Sequence, residues 1–118
     1  MFNFEKLDVW NKGIDFADLV YSSTPQFPRE ERFGLTNQMR RAAVSISSNI
    51  AEGSSRISRS DFKRFVEIAT GSVFEVISQA FIGRREEYLS EDAFNRLYSS
   101  AQELGRMLSG LRSSPSAK

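Results

Sequence analysis

Cysteine and histidine are both absent from the 118 residues, and these absences exclude more chemistry than any motif present suggests. Without cysteine there can be no disulfide, thiolate metal site or cysteine nucleophile, and a reducing cytoplasm is the expected compartment. Without histidine, a Ser-His-Asp triad, a histidine general base, the usual zinc site and the Glu-x-x-His di-iron site of helical bundles are all ruled out. Long apolar runs are missing too. Nowhere do the ~18 consecutive apolar residues of a membrane span occur. The opening MFNFEKLDVW carries acidic residues and no uninterrupted apolar stretch, so it reads as neither signal peptide nor anchor. A soluble protein that touches no membrane, binds no metal or cofactor and is not an enzyme is expected.

What is present is ordinary for one globular domain. Apolar residues make up 40% and charged residues 26% of the chain, and a chain of this length can bury a core without covalent staples. A single domain over 1–112 is expected, followed by a disordered Ser/Pro tail over 113–118.

Hydrophobic spacing predicts four helices. Leu7, Trp10, Ile14, Ala17 and Tyr21 recur at steps of three and four, predicting a helix from about Lys6 to about Ser22. Ser22 to Pro25 end it, and Phe27-Pro28 lead into a second helix whose first turn would hold Glu30 and Glu31, near the positive dipole end. Leu35, Met39, Ala42, Ala43, Ile46 and Ile50 keep the rhythm until Gly53, a suitable terminator. Either Ser58 or Ser60 can cap the third helix, where Phe62, Phe65, Ala69, Ser72, Val76 and Ala80 form a core stripe. Val66, Val73, Ile77 and Phe81 form a second stripe beside it, more apolar surface than one bundle core needs, and so a surface expected to meet another subunit. Ser90, Glu91 and Asp92 open a fourth helix with Phe94, Leu97, Ala101, Leu104, Leu108 and Leu111 at heptad spacing. No alternation in steps of two is sustained, so the expected fold is all-α: an antiparallel up-down four-helix bundle.

Three segments could carry chemistry. Arg41, Ser45, Ser48 and Glu52 follow one another at helical steps within QMRRAAVSISSNIAEG; they form either a phosphate-holding stripe or a hydrogen-bonded seam between helices or subunits, and the seam is favoured because helical serines bond readily to backbone carbonyls one turn earlier. Gly71, set among Ala69, Thr70 and Ser72, predicts close approach of another helix, with Ala42 and Ala43 as natural partners. Glu52, Glu67 and Glu75 could pair as carboxylates or bind a cation through oxygen, but read more simply as solvated or salt-bridged groups.

Charge is unevenly placed. The whole chain carries +1, yet Arg29 to Arg64 holds eight cations against four carboxylates, whereas Phe65 to Glu103 holds three against seven. Arg41, Arg56, Arg59, Lys63 and Arg64 fall in or near the junction of the second and third helices. Repeated around the rim of an oligomer, such a cluster would attract a polyanion; in isolation it reads equally as a solvated turn.

The run GLTNQMRRAAVSISSNIAEGSSR (Gly34 to Arg56), with Phe62, Arg64, Phe65 and IATGSVFE (Ile68 to Glu75), closely resembles the four-helix-bundle proteins encoded in intervening sequences of bacterial 23S ribosomal RNA genes. The opening FEKLDVWNKGIDFADLVY (Phe4 to Tyr21) and the stretch Phe27 to Phe33 are also similar to that family. The resemblance implies a cytoplasmic homo-oligomer, a pentameric ring of bundles without catalytic residues. Similar proteins serve diversity-generating retroelements as accessory subunits whose basic barrel engages a reverse transcriptase and its RNA. By matched position, Arg40, Arg41, Asn49, Glu52, Gly53, Gly71, Ser72 and Glu75 belong to the family pattern, most of them in structural roles. After Glu75 the chain departs from that pattern, with two charge pairs inside VISQAFIGRREEYLS (Val76 to Ser90).

The expected function is therefore a non-enzymatic oligomeric accessory or scaffold. Its partners would be further copies of itself and structured RNA or a nucleic-acid-processing protein, with Arg40, Arg41, Arg56, Arg59, Lys63 and Arg64 as candidate contacts to the nucleic-acid backbone. The alternative is a scaffold for protein partners alone.

Overall fold

The computed structural model describes residues 1–113, and these form four helices: α1 (Asp8–Ser23), α2 (Leu35–Ser54), α3 (Arg59–Arg85) and α4 (Glu91–Ser113). Single 3₁₀ turns precede α1 (Asn3–Lys6) and α2 (Arg29–Glu31). No strand occurs among the described residues. The helix α4 runs to Ser113, one residue past the expected domain boundary, and the rest of the expected tail lies outside the described residues. The body measures 43 × 23 × 22 Å. Its length matches α3, whose 27 residues span ~40 Å at 1.5 Å per residue.

One core runs the length of the bundle. Phe16, Met39, Ile46, Ile50, Phe62, Val66, Val76, Leu97, Leu104 and Leu108 are all wholly or almost wholly buried. The core stripe expected on α3 is buried throughout, as is the α4 heptad stripe from Phe94 to Leu108, with Leu111 half-buried against it. Ser58 caps α3, its hydroxyl accepting the Asp61 amide at 3.0 Å, and Ser90 caps α4, accepting the Ala93 amide at 3.1 Å.

Several local expectations are corrected. On α1 the buried residues are Val9, Gly13, Phe16, Val20 and Ser23, one position before the expected stripe and so rotated by about 100°. Gly13 lies on the buried line and packs on α2, where an added Cβ would meet Ser47 Cβ at 3.5 Å, an ordinary contact distance. Trp10 and Ala17 pack on the flank of the core, and Ile14 and Tyr21 face outward. Glu30 and Glu31 lie in the 3₁₀ turn rather than in α2, yet the Glu31 carboxylate still serves that helix by accepting the Leu35 amide at 2.9 Å.

Gly53 does not terminate α2. It is buried inside the last turn, where a Cβ would sit 2.8 Å from Phe65 Cβ, so this glycine is what lets α2 and α3 converge at their junction. Gly71, expected to play that part, is exposed with nothing within 4 Å of a built Cβ. The second α3 stripe also divides: Val66 and Val73 are buried in the core of the single chain, whereas Phe81 is exposed. By length and mean hydropathy α3 meets the requirement of a membrane span, although its apolar residues form no unbroken run. Ten of its residues are buried against the other helices, which is the profile of a bundle's core helix.

Candidate nucleic-acid interface

The turn between α2 and α3 is tied down from both sides. The Ser55 amide donates to the Glu52 carbonyl at 3.1 Å and the Arg56 amide to the Gly53 carbonyl at 3.0 Å, which closes α2. The Ser54 and Ser55 hydroxyls donate to the Ala51 and Glu52 carbonyls, both at 2.6 Å. With Ser58 capping α3, residues 55–58 have little freedom left.

Four cations decorate this turn. Phe65, itself buried, carries two guanidinium groups: Arg56 at 4.8 Å from the ring centroid and Arg64 at 4.9 Å. A ring face orients each cation without neutralising it. Arg56 is also held by Glu52, with Nη2 3.0 Å from Oε2, a pair open to solvent and so of small energetic weight. Arg59, Lys63 and Arg64 take part in no ion pair among the described residues. The buried Nε of Arg56 and Nη1 of Arg59 have no hydrogen-bond acceptor from the protein. From Gly53 to Val66 four cations face one carboxylate, Asp61, a local charge of +3.

Arg40 and Arg41 do not belong to this cluster. About 15 residues of α2 separate them from Arg56, which at 1.5 Å per residue is ~20 Å. Arg40 is a tie between helices: its Nε donates to the Thr24 hydroxyl at 3.0 Å and its guanidinium lies 4.8 Å from the Tyr21 ring centroid. Arg41 is exposed beside a shallow groove of about 300 Å³ lined also by Gln38, Ser45, Ser72 and Glu75.

Of the polar row on α2, Ser45 alone enters a seam with α3. Ser45 and Ser72 share a hydroxyl hydrogen bond at 2.9 Å across α2 and α3, and the Asn49 amide donates to the Ser45 carbonyl at 2.7 Å and hydroxyl at 2.9 Å. Ser48 stays exposed and Glu52 turns to Arg56. Because Ser45 stands opposite Ser72 and Gly53 opposite Phe65, Glu52 and Glu75 lie about ten α3 residues apart along the bundle, or ~15 Å, too far to act as a pair. No group of three or more acidic residues is placed to hold a metal ion among the described residues.

One feature escaped the reading of periodicity. Between α3 and α4 runs an apolar groove of about 560 Å³ lined by Val73, Phe74, Ile77, Tyr98, Ala101 and Gly105. Phe74 is 72% exposed, although it lies on neither α3 stripe. Its spacing of three from Ile77 was the available signal.

Comparison with known proteins gives a family and a shared fold. A family model described as "23S rRNA-intervening sequence protein" matches residues 5–110. A crystal structure of a protein with unknown function from the S23 ribosomal protein family of Bacteroides thetaiotaomicron superposes with a TM-score of 0.81 at 23% identity, covering 90% of this chain and 99% of that one. At that identity the likeness shows the fold alone. No curated protein matches.

Proposed function

The chain belongs to the 23S rRNA-intervening sequence protein family, and on that footing we propose that it is a non-catalytic, cytoplasmic homo-oligomer that holds structured RNA by its phosphate backbone. The contacts are Arg56, Arg59, Lys63 and Arg64. What carries this reading is their state at the α2–α3 turn: among the described residues three of the four lack an ion-pair partner, and two are oriented by one buried ring. Cations already placed lose little freedom on meeting a phosphate, and the release of counterions supplies the affinity. Four such contacts give a slope of log affinity against log salt of roughly −3 to −4.

Assembly multiplies this modest field. The apolar α3–α4 groove, with Phe74 mostly bare, supports burial against a second copy, and an antiparallel up-down bundle repeated around a five-fold ring would present the basic turn five times. The opposed pairs Ser45–Ser72 and Gly53–Phe65 support the antiparallel course of α2 and α3.

The test is filter binding of a structured ribosomal RNA fragment across a salt series. Replacing Arg56, Arg59, Lys63 and Arg64 together by glutamine is expected to abolish binding while helicity and particle size stay unchanged. Retained affinity would place the contact surface elsewhere. The same groove favours one rival, a scaffold for a protein partner; capture of a partner that resists nuclease, with no RNA bound at low salt, would select it.

A further inference from the structure

Ile57 is fully exposed (100%), the barest large apolar side chain among the described residues. It does not hang on a slack loop. The hydrogen bonds that close α2 at Ser55 and Arg56 and the cap at Ser58 fix the backbone on both sides of it. Arg56 is its neighbour, Arg59 follows two residues later, and Lys63 lies one helical turn beyond that. An aliphatic group is thus exposed on a hydrogen-bonded turn, with two arginines within two residues of it in the chain.

That combination fits a polyanion which also offers an apolar face. A lipid surface supplies one, but a single aliphatic side chain with a few cations gives little hold on a bilayer. Nucleic acid supplies the other: an unstacked base is flat, apolar on its faces, and flanked on either side by a phosphate. Proteins that open base steps use Ile, Leu, Met or Phe as the wedge. Uninterrupted duplex RNA offers no base face to such a group, because its bases are stacked on one another, and unstacked bases occur at bulges, loops and ends.

We infer that Ile57 is a wedge that packs against an unstacked base of the bound RNA, so that the turn selects a bulge, loop or helix end over continuous duplex, with Arg59 and Lys63 on the flanking phosphates. This rests on the backbone-contact reading above and adds to it the class of RNA.

The probes are two hairpins of equal length, one fully paired and one with a single-nucleotide bulge carrying 2-aminopurine. The wild-type chain is expected to bind the bulged hairpin about tenfold more tightly, the scale set by burying one aliphatic side chain, and to change the 2-aminopurine fluorescence. Ile57→Ser should lose that preference and that signal while keeping the affinity for the paired hairpin and the salt slope. Equal affinity of the wild-type chain for both hairpins, or an undiminished preference in Ile57→Ser, overturns the wedge and leaves the backbone contacts standing. Failure to bind either hairpin at low salt overturns both. Because Ile57 touches so little of the protein, its replacement leaves the fold as it is.

Discussion

The two turns at either end of α3 are built from similar parts and finished in opposite ways. Each has a buried glycine in the last turn of the helix before it, Gly53 at one end and Gly83 at the other, and each carries one aliphatic residue, Ile57 or Leu89. Leu89 is folded in at 3% exposure: a Cβ on Gly83 would meet Leu89 and Phe27 at 3.3 Å, and the Phe27 ring leans on Tyr88 at 5.5 Å. The connection between α1 and α2 covers this end, with the Gln26 amide donating to the Tyr88 carbonyl at 3.1 Å. The charge there is acidic, with Arg84 and Arg85 set against Glu86, Glu87, Glu91 and Asp92. Burial, with Glu31, Glu86 and Glu30 nearby, raises the pKa of the Tyr88 phenol above its ordinary value. At the α2–α3 end nothing folds over Ile57 and the charge is positive. The fold can tuck an aliphatic turn residue away; where it leaves one bare among cations, the bare residue points to a partner rather than to the core.

The sharpest way to break this comparison is to truncate both aliphatic residues. Leu89→Ala empties a packed site and is expected to cost about 2–5 kcal/mol in denaturant unfolding, the range for buried leucines. Ile57→Ala should change stability by less than about 0.5 kcal/mol, as for surface positions without packing. A large loss at Ile57 would mean that the turn is packed after all.

The two glycines come next. A methyl at Gly53 lands 2.8 Å from Phe65 Cβ, an atom fixed close to the backbone, so the helices must move apart, and Gly53→Ala is expected to cost about 1–3 kcal/mol. At Gly83 the nearest atoms, at 3.3 Å, are the ends of Leu89 and Phe27, which can give way, so Gly83→Ala should cost less than Gly53→Ala. Thermal unfolding of the two variants in parallel decides the order.

The gap between sequence and structure follows the same division. Helix number, the α3 core stripe and the α4 heptad were legible because burial on one face imposes a period, and serine caps announce themselves by type. The polar row on α2 was legible only in part: of Arg41, Ser45, Ser48 and Glu52 only Ser45 reaches α3, where it meets Ser72, and its other partner, Asn49, stood outside the row. The register of α1 was not: its apolar residues span a broad arc, and the line that packs inward runs through Val9, Gly13, Phe16 and Val20. The role of Gly71 was misread for a related reason. A helical glycine shows that something could come close, and here it is Gly53 and Gly13 that meet a neighbouring helix within the chain. Of the six candidate contact cations, Arg56, Arg59, Lys63 and Arg64 come together, whereas proximity in sequence grouped Arg41 with them although α2 carries it ~20 Å away.

The smallest expected effect lies in the turn that is otherwise finished. Glu87 adopts φ 63°, the only positive φ outside glycine among the described residues, where it follows the last turn of α3. Glycine takes this left-handed conformation without the Cβ penalty, and a carboxylate beside a helix C-terminus meets the negative end of the dipole. Both terms have the same sign. Glu87→Gly is therefore expected to stabilise the fold by about 1 kcal/mol, raising the thermal midpoint by a few degrees. A fall instead would show that the Glu87 side chain makes a contact worth more than the strain it sits in, and the acidic end of α3 would then be held by its charges and not only by Leu89 and Phe27.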